Sequence, residues 1–401
     1  MRCYCASLAR KASPTLRRRM NDTLVPMRSS FLLVCLVTTW VASQAFLHAP
    51  RLIGRPLAVD VRFSRGGWKD LAPEACRWRL RTRGQDVSMS SIATARANAD
   101  AASGVETAMW KWGEYEIRYK VAGKDSPGPA MILIHGFGGN ADHWRKSMPA
   151  LSKIGPVYAI DLLGYGFSSK PDPGPWDQKN VIYNFETWSK QVLDFAQEVV
   201  GDKVFLVCNS VGGVAGLQAG IDKPNQVMGV VLFNISLRML HEKKQQAVGK
   251  PFVKGLQYVL RETPVGSYFF KSVAKSRAVS NILKQCYGDE EAVTDELVNY
   301  ILKPGLEPGA VKVFLDFLSY SSGPLPEELL GEIKVPVVIG WGDEDPWEPI
   351  SLGRAYAAFD AVEDFIVIPG AGHCPMDEAP HLTDPVVIDF VRRHSPVPRL
   401  A

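Results

Sequence analysis

The chain has 401 residues, 46% hydrophobic and 22% charged, an ordinary globular composition. Its formal net charge of +4 hides a split: residues 1–100 hold 17 Lys+Arg against 6 Asp+Glu, whereas residues 101–401 hold 29 against 36 and are net −7. The body thus shows no basic stripe and no recognisable nucleic-acid motif, which excludes nucleic acid as the expected partner.

In chain order, the first signal is the apolar run Phe31 to Ala42 in "SFLLVCLVTTWVASQA", preceded by Arg28 and by Arg17, Arg18 and Arg19. Twelve residues are too few to span a bilayer, which takes about 20. They suit the core of a signal peptide over residues 1–45, with Ser43-Gln44-Ala45 supplying small residues for cleavage before Phe46. Residues 46–100 hold 10 basic and 5 acidic side chains and Ser/Ala runs such as "SMSSIATARANA", without helical or strand period. That is transit-peptide composition, and the pair resembles the bipartite presequences of algae with secondary plastids. A secretory signal followed by a disordered linker is the alternative, and Met27 is an alternative start. Of seven cysteines, Cys3, Cys5 and Cys35 precede the cleavage site, Cys76 lies in the transit-like stretch, and Cys208, Cys286 and Cys374 lie in the body. Three body cysteines without metal-ligand spacing argue against a disulfide scaffold and against a metal site. A plastid stroma fits them better than the cell exterior.

From Trp110 the pattern becomes βα repeats. "YEIRYKVAG" alternates like an antiparallel edge strand. "AMILIH" reads as a buried strand, followed by a Gly-rich turn and a helix across "DHWRKSMPALSK". "PVYAID" is the next strand, then the loop "LLGYGFSSKPDPGPW" and a helix around Phe185 to Val200. "KVFLV" and "VGGVAGLQAGI" form a strand and a small-residue helix, and "VMGVVLF", "VPVVIGW" and "DFIVIPG" complete the strands before the helix "PVVIDFVRRH". This order predicts a mostly parallel, doubly wound sheet from residues 101–233 and 335–401. The intervening residues 234–334 far exceed a crossover and read as a helical cap over the carboxyl ends of the strands, rich in aromatics including Phe269 and Phe317.

"CNSVGG" (Cys208 to Gly213) joins the strand "KVFLV" to a helix and resembles the nucleophile elbow G-x-S-x-G, with Ser210 as nucleophile and Cys208 in place of the first glycine. His373, in "PGAGHCPMDEAP" after the last strand, is the candidate base. "GWGDEDPWEP" offers Asp343 and Asp345 as the acid, and Pro346 fixes the turn in favour of Asp345. Ser210, Asp345, His373 is the Ser…Asp…His order of α/β hydrolases. Oxyanion donors are expected from the backbone N–H of Val211 at the helix start and of Phe137 in "HGFGG". His135 is read as a residue holding loop backbone and Ser168 as a loop residue. The chemistry calls for no cofactor and no metal.

"HGFGGNADHW", "DLLGYGFSSKP", "NSVGG", "WGDEDPWEP" and "GAGHCPMDEAP" together resemble the plastid α/β hydrolases that include pheophytinase and the chlorophyll dephytylases, over roughly Trp110 to His394. The resemblance implies an α/β-hydrolase fold with an inserted cap and a serine hydrolase. The implied substrate is a small lipophilic plastid ester, in its sharpest form the phytyl ester of a chlorophyll-type pigment. Reaching such an ester implies peripheral contact with a membrane. A carbon–carbon bond hydrolase or cofactor-free perhydrolase would reuse the same residues, and a non-enzymatic binding protein on this scaffold is the remaining class. Haloalkane dehalogenases and epoxide hydrolases use an aspartate nucleophile, so Ser210 argues against both.

Overall fold

The computed structural model describes residues 104–175, 182–238, 241–244 and 250–395; the signal and transit segments expected over residues 1–100 lie outside the described residues. Eight strands form one sheet in the order β1-β2-β4-β3-β5-β6-β7-β8. They are β1 (Val105–Trp112), β2 (Tyr115–Ala122), β3 (Ala130–Ile134), β4 (Val157–Ile160), β5 (Val204–Asn209), β6 (Val227–Phe233), β7 (Val337–Gly342) and β8 (Val362–Ile368). β2 runs antiparallel to β1 and β4, and every pairing from β4 to β8 is parallel.

The central strands are apolar on both faces because both faces are covered. Alternate residues of β3 feed the two halves of the core: Ile132 and Ile134 join Trp188, Val214 and Leu217, while Met131 and Leu133 join Trp144, Phe205 and Phe390. The helices of the sheet include α1 (Phe185–Phe195) and α2 (Val211–Asp222). Between β6 and β7 come α3 (Lys250–Glu262), α4 (Pro264–Val273), α5 (Ser276–Cys286), α6 (Asp295–Gly305), α7 (Ala310–Ser319) and α8 (Pro326–Glu332). The chain closes with α9 (Pro380–His394).

Three local expectations are corrected. β2 is not the edge: β1 covers it, and Arg118 and Lys120 point inward. Arg118 pairs with Asp142 (2.9 Å) and Asp161 (2.7 Å), and Lys120 with Asp142 (2.8 Å), all four side chains buried. That buried ion cluster also breaks the helix expected across "DHWRKSMPALSK". Asn140 caps a short 3-10 turn at Ala141–Trp144 whose residues are all buried, and only Met148–Leu151 is α-helical there. Last, α8 packs on α2, with Leu329, Leu330 and Ile333 in the core of the sheet, so it belongs to the sheet's own helical layer although it falls within residues 234–334. Among the described residues no helix is long and apolar enough to cross a membrane.

Candidate active site

The site is built on the carboxyl ends of parallel strands, where open α/β sheets place ligands. β5 is buried throughout and passes directly into α2, leaving Ser210 at the turn with φ 54° and ψ −125°. A serine at positive φ is strained, and the surrounding bonds hold it there. Ser210 N–H donates to Phe233 O (3.1 Å), and Gly213 N–H donates to Ser210 O (3.0 Å). A Cβ at Gly212 would lie 2.4 Å from His135 O, so the first turn of α2 can press against the end of β3 only without a side chain.

Cys208 fits for a related reason. Its side chain points at α2, where a Cβ on Gly216 would lie 2.5 Å from its Sγ. The volume added on the strand is absorbed on the helix. Burial pushes the Cys208 thiol well above its ordinary range, so it stays protonated and packs as a small apolar group.

His373 Nε2 lies 3.0 Å from Ser210 Oγ, and its Nδ1 lies 2.7 Å from Asp345 Oδ2. The three residues are 5–6% exposed. Asp345 Oδ1 accepts the N–H groups of Trp347 (2.8 Å) and Glu348 (3.0 Å), and Oδ2 also accepts from Asn234 Nδ2 (2.7 Å). Asp343 faces elsewhere, accepting from Gly370 N–H at 2.8 Å. Burial pulls the His373 imidazole down, but the Asp345 carboxylate and its hydrogen bond outweigh this and bring it to about 9. Burial pushes the neighbouring Glu348 carboxyl up to about 7; its Oε1 accepts from Ser236 Oγ (2.9 Å).

Gly136 abuts the serine, since a Cβ there would lie 2.8 Å from Ser210 Cβ, so Phe137 follows on the turn beside the hydroxyl. Val211 opens α2, where the first backbone N–H groups have no intrahelical partner. His135 holds loop backbone: its Nδ1 lies 2.8 Å from Gly136 O, and its Nε2 accepts from Leu162 N–H at 3.1 Å. Ser168 Oγ donates to Asp161 O and accepts from Arg118 N–H, a loop role. The Phe137 ring packs on Phe314 and Phe317 of α7, each at 5.2 Å. On α4 it is Phe270, not Phe269, that meets this cluster, 5.1 Å from Phe314.

Three supporting residues escaped the sequence reading. Asn234 sits directly after β6 at φ 44° and braces β7 by accepting from Gly342 N–H (2.9 Å) while donating to Asp345. Asn209 Nδ2 donates to Phe233 O (3.1 Å) and His373 O (3.0 Å), tying the histidine loop to the elbow. Glu378 accepts from Gly372 N–H (3.0 Å) and Gly288 N–H (2.7 Å), and His373 N–H donates to Cys286 O (2.7 Å), which fastens that loop to the end of α5. An asparagine immediately after a buried strand was a readable signal for Asn234, because Asn tolerates positive φ better than most residues. Among the described residues no group of three or more His, Cys, Asp or Glu side chains could hold a metal ion.

A model of the alpha/beta hydrolase family matches residues 131–384. Chloroplastic pheophytinase of Arabidopsis thaliana is 24% identical over 351 residues, spanning 78% of this chain and 72% of that one. A 2-hydroxy-6-oxo-6-(2'-aminophenyl)hexa-2,4-dienoic acid hydrolase of Metapseudomonas resinovorans is 26% identical over 301 residues, spanning 72% and 92%. The crystal structure of a bacterial membrane phospholipase A superposes with a TM-score of 0.59 at 23% identity, covering 76% of this chain and 92% of that one, a likeness of fold.

Proposed function

The chain belongs to the alpha/beta hydrolase family, and on that footing we propose that it is a serine hydrolase cleaving the carboxylic ester of a lipophilic compound. The single observation that carries this reading is the line from Ser210 Oγ through His373 to Asp345, at 3.0 and 2.7 Å. Ser210 Oγ attacks the ester carbonyl carbon while His373 Nε2 takes its proton, and Asp345 stabilises the imidazolium that results. The carbonyl oxygen becomes an oxyanion, received by the backbone N–H groups of Phe137 and Val211 at the positive end of α2. Collapse expels the alcohol, which takes the proton from His373. Water then attacks the acyl-serine through the same base and releases the acid.

The aromatic cluster of Phe137, Phe314 and Phe317 beside the serine supports an apolar substrate. The relation to chloroplastic pheophytinase supports a plastid ester, with a phytyl ester as the sharpest version. The same relation and the transit-like presequence support a plastid location. A fusion of residues 1–100 to a fluorescent protein in an algal host reads the location, and secretion into the medium would contradict it. The relation to the dienoic acid hydrolase favours a second reading, hydrolysis of a carbon–carbon bond by the same three residues.

The test is an assay of the protein against pigment, galactolipid and short-chain esters beside a dienoic acid substrate. Ester turnover falling roughly 10³-fold in Ser210→Ala is the expected result. Turnover of the dienoic acid alone would transfer the assignment to the second reading, and an undiminished Ser210→Ala variant would end both.

A further inference from the structure

Residues 250–284, covering α3 to α5, hold seven Lys and Arg and a single acidic residue, Glu262, inside a body whose net charge is −7. The absence of a basic cluster expected from the body as a whole is therefore corrected at this one place. α3 turns Val253, Gln257 and Leu260 inward. Its outer face carries Lys254 beside Tyr258 and Val259, and Tyr258 is 53% exposed. α4 repeats the arrangement: Gly266 and Phe270 are buried, while Val265 and Tyr268 stand out at 45% and 64% exposure, next to exposed Lys271. Lys275 continues the basic rim, and among the described residues Lys254, Lys271 and Lys275 make no ion pair.

Large apolar side chains exposed together are unusual on a soluble surface and mark interaction sites. Apolar projections within a basic field match one partner best, because a headgroup layer offers anionic charge and an acyl boundary at adjacent depths. We propose that the outer face of α3 and α4 docks on an anionic lipid bilayer, with Tyr258, Val259, Val265 and Tyr268 entering the interface and Lys254, Lys271 and Lys275 meeting the headgroups. The face belongs to the inserted segment whose α7 packs on Phe137 beside Ser210. Docking there brings the site to a membrane-held ester; that use rests on the proposed function, whereas the docking itself does not.

The test uses the full chain and vesicles of phosphatidylcholine alone or mixed with phosphatidylglycerol. Flotation with the mixed vesicles is expected, and it should drop by about tenfold or more in Lys254→Glu/Lys271→Glu/Lys275→Glu and in Tyr258→Ser/Tyr268→Ser, since charge and apolar contributions to binding add. Circular dichroism and thermal unfolding of the variants should match the parent, since the altered side chains are exposed. Hydrogen exchange should slow across residues 254–272 when mixed vesicles are added. Three results would overturn the proposal: equal flotation of parent and variants, exchange changes confined to residues 1–100, or a dimer abolished by the same substitutions, which would assign the face to a second copy of the chain.

Discussion

Cys208 occupies the place in the strand-to-helix turn where the motif carries glycine, and its partner eight residues on explains why the turn survives. A methyl group at residue 216 would collide with Cys208 Sγ. Gly216→Ala should therefore destabilise the protein by about 1–3 kcal/mol through overpacking, yet cost little in a Cys208→Gly background, where alanine also improves helix propensity. Thermal unfolding of the four members of the cycle checks this, and additive effects would contradict it. Cys208→Gly alone should retain activity, because the thiol has no chemical role. Glu348 gives a second residue-scale expectation. Its carboxyl binds a proton more tightly in the folded chain, about 7 against an ordinary 4.5, so stability should decline as pH rises through that window. Glu348→Gln should flatten that slope. It should also move the acidic limb of kcat/KM, along which activity rises as His373 loses its proton near 9, to lower pH, since the Glu348 carboxylate helps hold that imidazole up. An unmoved limb in the variant would show that Glu348 does not act on His373. At this scale Pro346 pointed to Asp345, the carboxylate that meets His373, whereas Asn209 gave no signal, because its partners are backbone carbonyls 24 and 164 residues away, and Asn234 signalled its positive φ but not its partners 108 and 111 residues on.

Strands were the most legible elements. "VMGVVLF" is β6 residue for residue, because a strand buried on both faces leaves an uninterrupted apolar run bounded by polar turns. β2 misled for the opposite reason: alternation with Arg118 and Lys120 suggests a solvent face, and only the carboxylates of Asp142 and Asp161 make those charges burial-competent. The helix predicted over residues 142–153 failed in the same place, since Asp142 is spent on the ion cluster instead of on an exposed helical face. In the inserted segment the sequence gives aromatic content without direction. The packing singles out α7, whose Phe317 meets Phe137, Tyr165, Phe185, Trp188 and Tyr320. Burial of each CH₂ of a substrate chain contributes about 0.8 kcal/mol, so kcat/KM should climb with chain length across a series of esters. Phe317→Ala should flatten that climb as well as lower the melting temperature. A lower melting temperature with the slope unchanged would assign the ring to packing alone.

At the scale of the whole molecule, charge and chemistry are divided along the chain. The strongly basic residues 1–100 precede an acidic hydrolase body, and within that body α3 to α5 carry a local excess of basic over acidic residues. The α/β architecture was readable because Ser210, Asp345 and His373, the residues proposed as nucleophile, acid and base, each follow a strand in the order the fold imposes. The docking face was not, since whole-body totals average a local basic run against acidic surroundings and exposure has no sequence signature. What unites the two scales is one serine hydroxyl, held at a strained turn by a sheet whose strands come from both ends of the body. The direct measurement is reaction of the protein with a fluorophosphonate, followed by mass spectrometry of the peptide containing residues 205–217. Phosphonylation of Ser210, abolished in Ser210→Ala and strongly slowed in His373→Ala, is the predicted result. Labelling elsewhere, or none in a folded protein, would contradict the assignment of Ser210 as the nucleophile.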